Sequence, residues 1–275
     1  MDLRRRRHHT SLAPLPGFKD VGLIAADDPK SPAAEAFRTL RANLQFIGLG
    51  EAVRALLFTS AGPRDGKSFV ASNLAWILAQ MDRRILLIDA DMRRPTMHKM
   101  FRISNRHGLS TALAGAVEWR EAVQATRTPS LAVLPGGPVP PNPAELLSTP
   151  RMHQILQEAR ASYELVLIDA PPVLAVADTV ELAPHVDGVI LVVRSGHTVN
   201  ELAKQAKEAL DHAHARCLGV VLNDLQERHG GYYYYRYRYD YRGSEEAGLP
   251  AAGAPGGARG GTREEVAAAR GEEEA

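Results

Sequence analysis

A single cysteine, Cys217, has no partner for an intrachain disulfide, so the fold is not a stapled secreted scaffold and a reducing cytoplasm suits it. No apolar run approaches the roughly 18 residues that a membrane span needs. The basic start MDLRRRRHH runs into SLAPLPGFKD instead of an apolar stretch, so it does not read as a secretory signal, and any membrane attachment is expected to be peripheral. An excess of charge of one sign is also missing: the formal net charge is +1, which gives no global drive toward nucleic acid, and charge has to be read locally. No internal repeat stands out. What remains, at 275 residues, is one sizeable α/β domain with flexible ends.

Residues 1–30 mix proline, glycine and charge without a period and read as a flexible basic arm. A domain is expected over 31–227. It opens with SPAAEAFRTLRANLQFI, where Ser31 caps, Pro32 suits the first helical position, and Phe37, Leu40, Leu44 and Ile47 share a face. From Val53 onward, apolar runs of strand length (ALLFTS, RILLIDA, LAVLPGG, YELVLIDAPP, GVILVVRS, CLGVVLND) alternate with helical patterns such as KSFVASNLAWILAQM and NELAKQAKEALDHAHA. That alternation predicts βαβ units and a mostly parallel central sheet; the runs are apolar throughout because helices are to cover both faces. Residues 228–242 hold seven of the eight tyrosines, and 243–275, rich in Gly, Ala and Glu, read as a disordered extension.

AGPRDGKS, Ala61 to Ser68, follows a predicted strand and opens a predicted helix, the context a P-loop requires. Small and turn-forming residues leave backbone N–H groups free to face phosphate, and the helix start adds partial positive charge. The nucleotide-binding set is therefore Gly62, Pro63, Arg64, Asp65, Gly66, Lys67, Ser68 and Phe69, with Lys67 reaching the β- and γ-phosphates and Ser68 ligating Mg²⁺. Ala61 stands where the first glycine is usual. In RILLIDADMRRP, Asp89 and Asp91 are two apart on a strand end and point the same way; capping of the following segment is the alternative use of either. In YELVLIDAPP, Asp169 ends a strand as the Walker B acid does, orienting Mg²⁺. His212 and His214, two apart on a helix, do not share a face for a metal.

From about Glu35 to Tyr241 these motifs, with GGPVPPNPAELL, DGVILVVR and GVVLND, resemble the bacterial tyrosine kinase family of capsule and exopolysaccharide synthesis, in its cytoplasmic form. The resemblance implies a P-loop NTPase fold of three layers, similar to the MinD/ParA group of deviant-Walker ATPases, and a non-specific protein-tyrosine kinase using ATP and Mg²⁺. It implies that Asp89 takes the tyrosine hydroxyl proton, that Asp91 supports metal and water placement, and that Asn223 contacts adenine; for Asn223 a strand-terminal turn residue is the plain alternative. Glu35, Arg38 and Arg41 fit the family's E-x-x-R-x-x-R pattern, an oligomer contact in a ring. Taken by themselves they form a charged stripe beside the apolar face, equally suited to solvated intrahelical ion pairs. The implied partners are a transmembrane polysaccharide co-polymerase that activates the kinase at the inner face of the membrane, and a cognate tyrosine phosphatase.

Tyr232, Tyr233, Tyr234, Tyr235, Tyr237, Tyr239 and Tyr241 are interleaved with Arg236, Arg238 and Asp240, so they are no core strand. Exposed rings with arginine suit stacking on single-stranded nucleic acid, a sticky interface, or use as phosphoacceptors; an ATP site on the same chain favours the last. Arg4 to Arg7 suit anionic headgroups or a plain solvated start. Two rivals remain. MinD/ParA-type positioning ATPases carry a lysine where Gly62 stands here and lack a tyrosine cluster. A non-catalytic, ATP-dependent scaffold of polysaccharide assembly is the other.

Overall fold

Each of the six apolar runs becomes a strand, and alternate residues of five of them feed two different cores. The computed structural model describes residues 22–46 and 53–225, all within the unit Met1–Gln226; Ile47, Arg4 to Arg7 and the tyrosine cluster lie outside the described residues. In chain order the elements are α1 (Ile24–Asp27), α2 (Pro32–Phe46), β1 (Ala55–Ser60), α3 (Lys67–Ala79), β2 (Ile85–Asp89), α4 (Met97–Phe101), α5 (Leu109–Leu113) and α6 (Trp119–Ala122). There follow β3 (Gln124–Ala125), β4 (Leu131–Leu134), α7 (Pro143–Leu147), α8 (Pro150–Ser162), β5 (Leu165–Asp169), α9 (Asp178–Leu182), β6 (Gly188–Arg194), α10 (Asn200–His212) and β7 (Cys217–Asn223). The strands form one sheet in the order β3-β4-β2-β5-β1-β6-β7, parallel except for β3 against β4.

Leu56, Phe58, Leu87, Leu167, Ile190 and Val192 point to one face, where α1, α2 and α3 pack. Leu57, Leu86, Ile88, Ile168, Val189 and Leu191 point to the other, covered by α5 to α10. Period-two alternation is invisible in such runs because both faces are dry. β7 departs from this rule. It is the edge strand, and Val220 and Leu222 stay exposed although its sequence is as apolar as its neighbours'. The register brings the carboxyl ends of β2 and β5 level, with Asp89 opposite Asp169, which places the site.

α2 begins as its sequence predicts. The Ser31 hydroxyl oxygen accepts the Ala34 N–H at 3.2 Å, Phe37 and Leu44 are buried, and Phe37 meets the Phe69 ring edge-on at 5.8 Å between centroids. The arm expected over residues 1–30 differs at its end. α1 falls inside it, with Ala25 fully buried and its N–H donated to Asn73 Oδ1 at 3.0 Å. A single turn resting on α3 through one small side chain has no periodicity to announce it.

Candidate active site

The loop between β1 and α3 turns back through two left-handed positions, Arg64 (φ 69°) and Gly66 (φ 94°). Arginine tolerates the first at a cost in strain; at the second a Cβ would lie 2.0 Å from Asn223 Nδ2, so only glycine fits. Gly66 is the N-cap of α3, whose first turn holds no acidic residue, so the helix start offers its amides and partial positive charge to an anion.

Two acids, Asp91 and Asp169, meet the first residues of α3, and Asp89 lies opposite Asp169 in the sheet. Lys67 Nζ donates to Asp91 Oδ2 at 2.7 Å and to Asp169 Oδ1 at 3.5 Å, and lies 3.2 Å from the Ser68 hydroxyl. Ser68 donates its hydroxyl to Asp169 Oδ2 at 2.6 Å. Burial alone would pull the Lys67 ammonium down, but Asp169 and Asp91 outweigh it and its pKa stands above the ordinary lysine value. Asp169 is pushed up by burial, against the pull of Lys67 and Ser68. Burial, with Asp169 beside it, pushes Asp89 up to about 8 despite the Met97 amide, Lys67 and the Thr96 amide.

The two DAD carboxylates use their oxygens differently. Asp89 Oδ2 accepts the Thr96 and Met97 N–H groups at 2.8 and 3.0 Å, at the start of α4, while Asp89 Oδ1 is buried without a partner. Asp91 Oδ1 accepts the Arg94 N–H at 3.1 Å, and its other oxygen holds Lys67. For Asp91 a local turn contact and a contact with Lys67 occur together; for Asp89 only the local contact is made. An unpaired oxygen at full burial is costly, and a ligand that supplies a donor or a cation relieves it.

The donor set fits Mg²⁺ bound with a nucleotide. A hydroxyl and a carboxylate in contact, Ser68 and Asp169, are the oxygen ligands that this ion takes alongside phosphate and water. No cluster of three or more His, Cys, Asp or Glu side chains forms a closed metal cage among the described residues.

Some participants carry no signal in the sequence. Arg93 Nε and Nη2 grip both oxygens of Asp178 at 3.0 Å, tying the turn after β2 to the start of α9, where Asp178 is fully buried. Thr59 and Thr179 both donate to the Pro171 carbonyl, at 2.7 and 2.6 Å, and so fix the chain leaving Asp169. Gly136 closes over the end of β2; a Cβ there would stand 2.8 Å from Pro95 Cβ. Asn223 reaches the phosphate loop, donating Nδ2 to the Asp65 carbonyl at 2.9 Å. On α2, Arg38 pairs with Glu35 at 2.9 Å and donates to the Pro29 carbonyl at 2.6 Å, while Arg41 makes no ion pair among the described residues.

Comparison with known proteins agrees with this geometry. Residues 65–216 match a family described as an AAA domain. The chain is 44% identical over 214 residues to the tyrosine-protein kinase YwqD of Bacillus subtilis, covering 78% of this chain and 90% of that one. It is 38% identical over 231 residues to the tyrosine-protein kinase etk of Escherichia coli K12, covering 84% of this chain but only 31% of that longer protein. The solved kinase domain of E. coli tyrosine kinase ETK superposes with a TM-score of 0.74 at 38% identity, over 82% of this chain and 86% of that one. The septum site-determining protein MinD of Pyrococcus horikoshii, solved with Mg-ADP, shares the fold at a TM-score of 0.55 and 22% identity, over 64% and 71% of the two chains.

Proposed function

Because this chain belongs to the bacterial tyrosine-protein kinase family, we propose that it moves the γ-phosphoryl group of ATP onto tyrosine hydroxyls. The phosphoacceptors in this reading are the chain's own Tyr232, Tyr233, Tyr234, Tyr235, Tyr237, Tyr239 and Tyr241, presented by a neighbouring copy. The observation that carries the reading is the meeting of Lys67, Ser68, Asp91 and Asp169 at the head of α3, with Asp89 buried opposite Asp169 and one of its oxygens unpaired.

In this reaction the phosphate loop and the start of α3 receive the triphosphate, and Lys67 leaves its carboxylate partners to neutralise charge on the transferred group. Mg²⁺ would be held by Ser68 and Asp169, and when bound it offsets phosphate charge. The phenol oxygen forms a bond to the γ-phosphorus as the bond to the ADP oxygen breaks, and the phenol proton passes to Asp89. A carboxyl drawn up to about 8 is, once ionised, a stronger base than an ordinary aspartate and lies closer to a phenol. Asp91 holds Lys67 in reach until the nucleotide arrives.

The biological setting follows the same reading: control of capsular or exopolysaccharide assembly, a ring of copies meeting through Glu35, Arg38 and Arg41, a transmembrane activator of co-polymerase type, and a phosphatase that resets the tail. No helix among the described residues is long and apolar enough to cross a membrane, which suits attachment through such a partner. The likeness to MinD extends to fold alone, and Gly62 stands where that group's lysine would be.

The test is direct. Purified protein incubated with ATP and Mg²⁺ acquires phosphotyrosine at the C-terminal cluster by mass spectrometry, and Lys67→Ala does not. Phosphotyrosine on Lys67→Ala made in cells free of other tyrosine kinases, or none on wild type with or without an activator fragment, overturns the reading.

A further inference from the structure

An acidic side chain in a phosphate-binding loop is an electrostatic problem, since its carboxylate repels the anion the loop amides attract. Asp65 stands there, directly before Gly66 and Lys67, and is only 2% exposed. Both carboxylate oxygens are engaged within the protein. Oδ2 accepts the Gly62 N–H at 2.9 Å, and Oδ1 accepts the Thr198 hydroxyl at 2.8 Å. Its main-chain carbonyl accepts Asn223 Nδ2 at 2.9 Å.

Those contacts lead into a closed circuit. Thr198 lies in the turn between β6 and α10, and its hydroxyl oxygen accepts the Arg194 N–H at 2.8 Å. The Arg194 guanidinium donates to Asp224 at 2.8 Å, and the Ser195 N–H donates to the Asn223 carbonyl at 2.9 Å. Starting from Asp65, hydrogen bonds and short stretches of chain run through the β6–α10 turn to the end of β7 and back to Asp65.

We propose that Asp65 is a positioning residue for ATP, bracing the phosphate loop against Thr198 through its carboxylate and against Asn223 through its carbonyl, so that the loop keeps its phosphate-receiving shape before nucleotide arrives. The proposal rests on the ATP site of the function proposed above. It gives the acidic residue a use that a phosphate contact cannot: Asp65 consumes one loop N–H, at Gly62, and fixes the loop around the others. A loop already held in its bound shape spends less ordering free energy on binding, so the brace acts on ATP affinity. Asp65 touches no reacting atom in this arrangement, and the chemical step is spared.

The experiment measures the Kd of a fluorescent ATP analogue, the KM for ATP and kcat in the full chain, for wild type, Asp65→Ala, Asp65→Asn, Thr198→Val and the double variant Asp65→Ala/Thr198→Val. Asp65→Ala is expected to weaken ATP binding about ten- to a hundred-fold, the scale of losing hydrogen bonds to a charged group, with KM rising far more than kcat falls. Thr198→Val, which keeps the side-chain shape and removes the hydroxyl that joins Arg194 to Asp65, is expected to weaken binding about three- to ten-fold. Asp65→Asn recovers part of the loss because it keeps an acceptor for the Gly62 N–H. The double variant loses less affinity than the two single losses combined, because both remove the shared Asp65–Thr198 bond, although Thr198→Val also removes the acceptor of the Arg194 N–H. Wild-type affinity in Asp65→Ala despite a lowered Tm, or fully additive losses in the double variant, overturns the brace. A wild type that binds the analogue yet transfers no phosphoryl group overturns the kinase reading, while the binding arms still decide the brace; a wild type that binds none overturns both.

Discussion

Asp89 shows how one residue can be built against stability and for chemistry. It is fully buried, faces Asp169 across the β2–β5 pairing, and leaves Oδ1 unpaired. With its pKa raised from 3.8 to about 8, it holds a proton in the folded protein that the unfolded chain has released. The folded state therefore binds the extra proton between those values, and stability falls as pH rises from about 4 to about 8. Asparagine keeps an oxygen for the Thr96 and Met97 amides and places a neutral amide where the unpaired oxygen stands. Asp89→Asn is thus expected to melt above wild type at pH 8, with the gap closing toward pH 4, while tail phosphorylation drops sharply; equal melting temperatures across that range count against the buried-acid account. The sequence marks both acids of the DAD run, but β2 ends at Asp89, so the strand rule that residues two apart share a direction does not reach Asp91. The use of their oxygens is not legible, because it depends on how Pro95 to Met97 fold back over Asp89.

At the scale of elements, legibility follows length and covering. The six apolar strands, of four to seven residues, are readable as unbroken apolar runs, and α2, α3 and α10, of 13 to 15 residues, by their helical pattern, whereas α1, α4, α5, α6, α7 and α9 span four or five residues and β3 two, too short for a period. The edge position of β7 is unreadable for a different reason: its apolar run looks the same as those of β1 and β6, and only pairing order reveals that it has a single neighbour. Stability should track this layout. Leu87, in central β2, is fully buried under α3, so Leu87→Ala is expected to cost about 2–5 kcal/mol, seen as a lower midpoint of denaturant unfolding. Leu222→Ala on the half-open edge strand removes a side chain that is already 50% exposed and is expected to cost under about 1 kcal/mol. Equal losses at the two positions would mean that β7 is covered in solution, by another copy or another partner.

For the whole molecule, the question is which copy's tail meets which copy's active site. Of the α2 stripe, Arg38 is already held by Glu35 and the Pro29 carbonyl, which joins α2 to the segment before it, so the solvated ion-pair reading describes that residue within one copy. Arg41 makes no such pair among the described residues and is the better reporter of contact between copies. A mixing experiment separates the cases. A Lys67→Ala copy with its tyrosines intact cannot phosphorylate itself, and a copy with all seven tail tyrosines changed to phenylalanine has an active site but no tail acceptors. Transfer between copies predicts phosphotyrosine on the first protein only when the second is added, and predicts that Arg41→Glu in both proteins suppresses the signal without lowering either melting temperature. Transfer within one chain predicts no phosphotyrosine in the mixture, since neither protein then joins a working site to a tyrosine tail. If the mixture stays blank while wild type alone is phosphorylated, the α2 stripe returns to being a solvated face and the ring is not needed for the reaction.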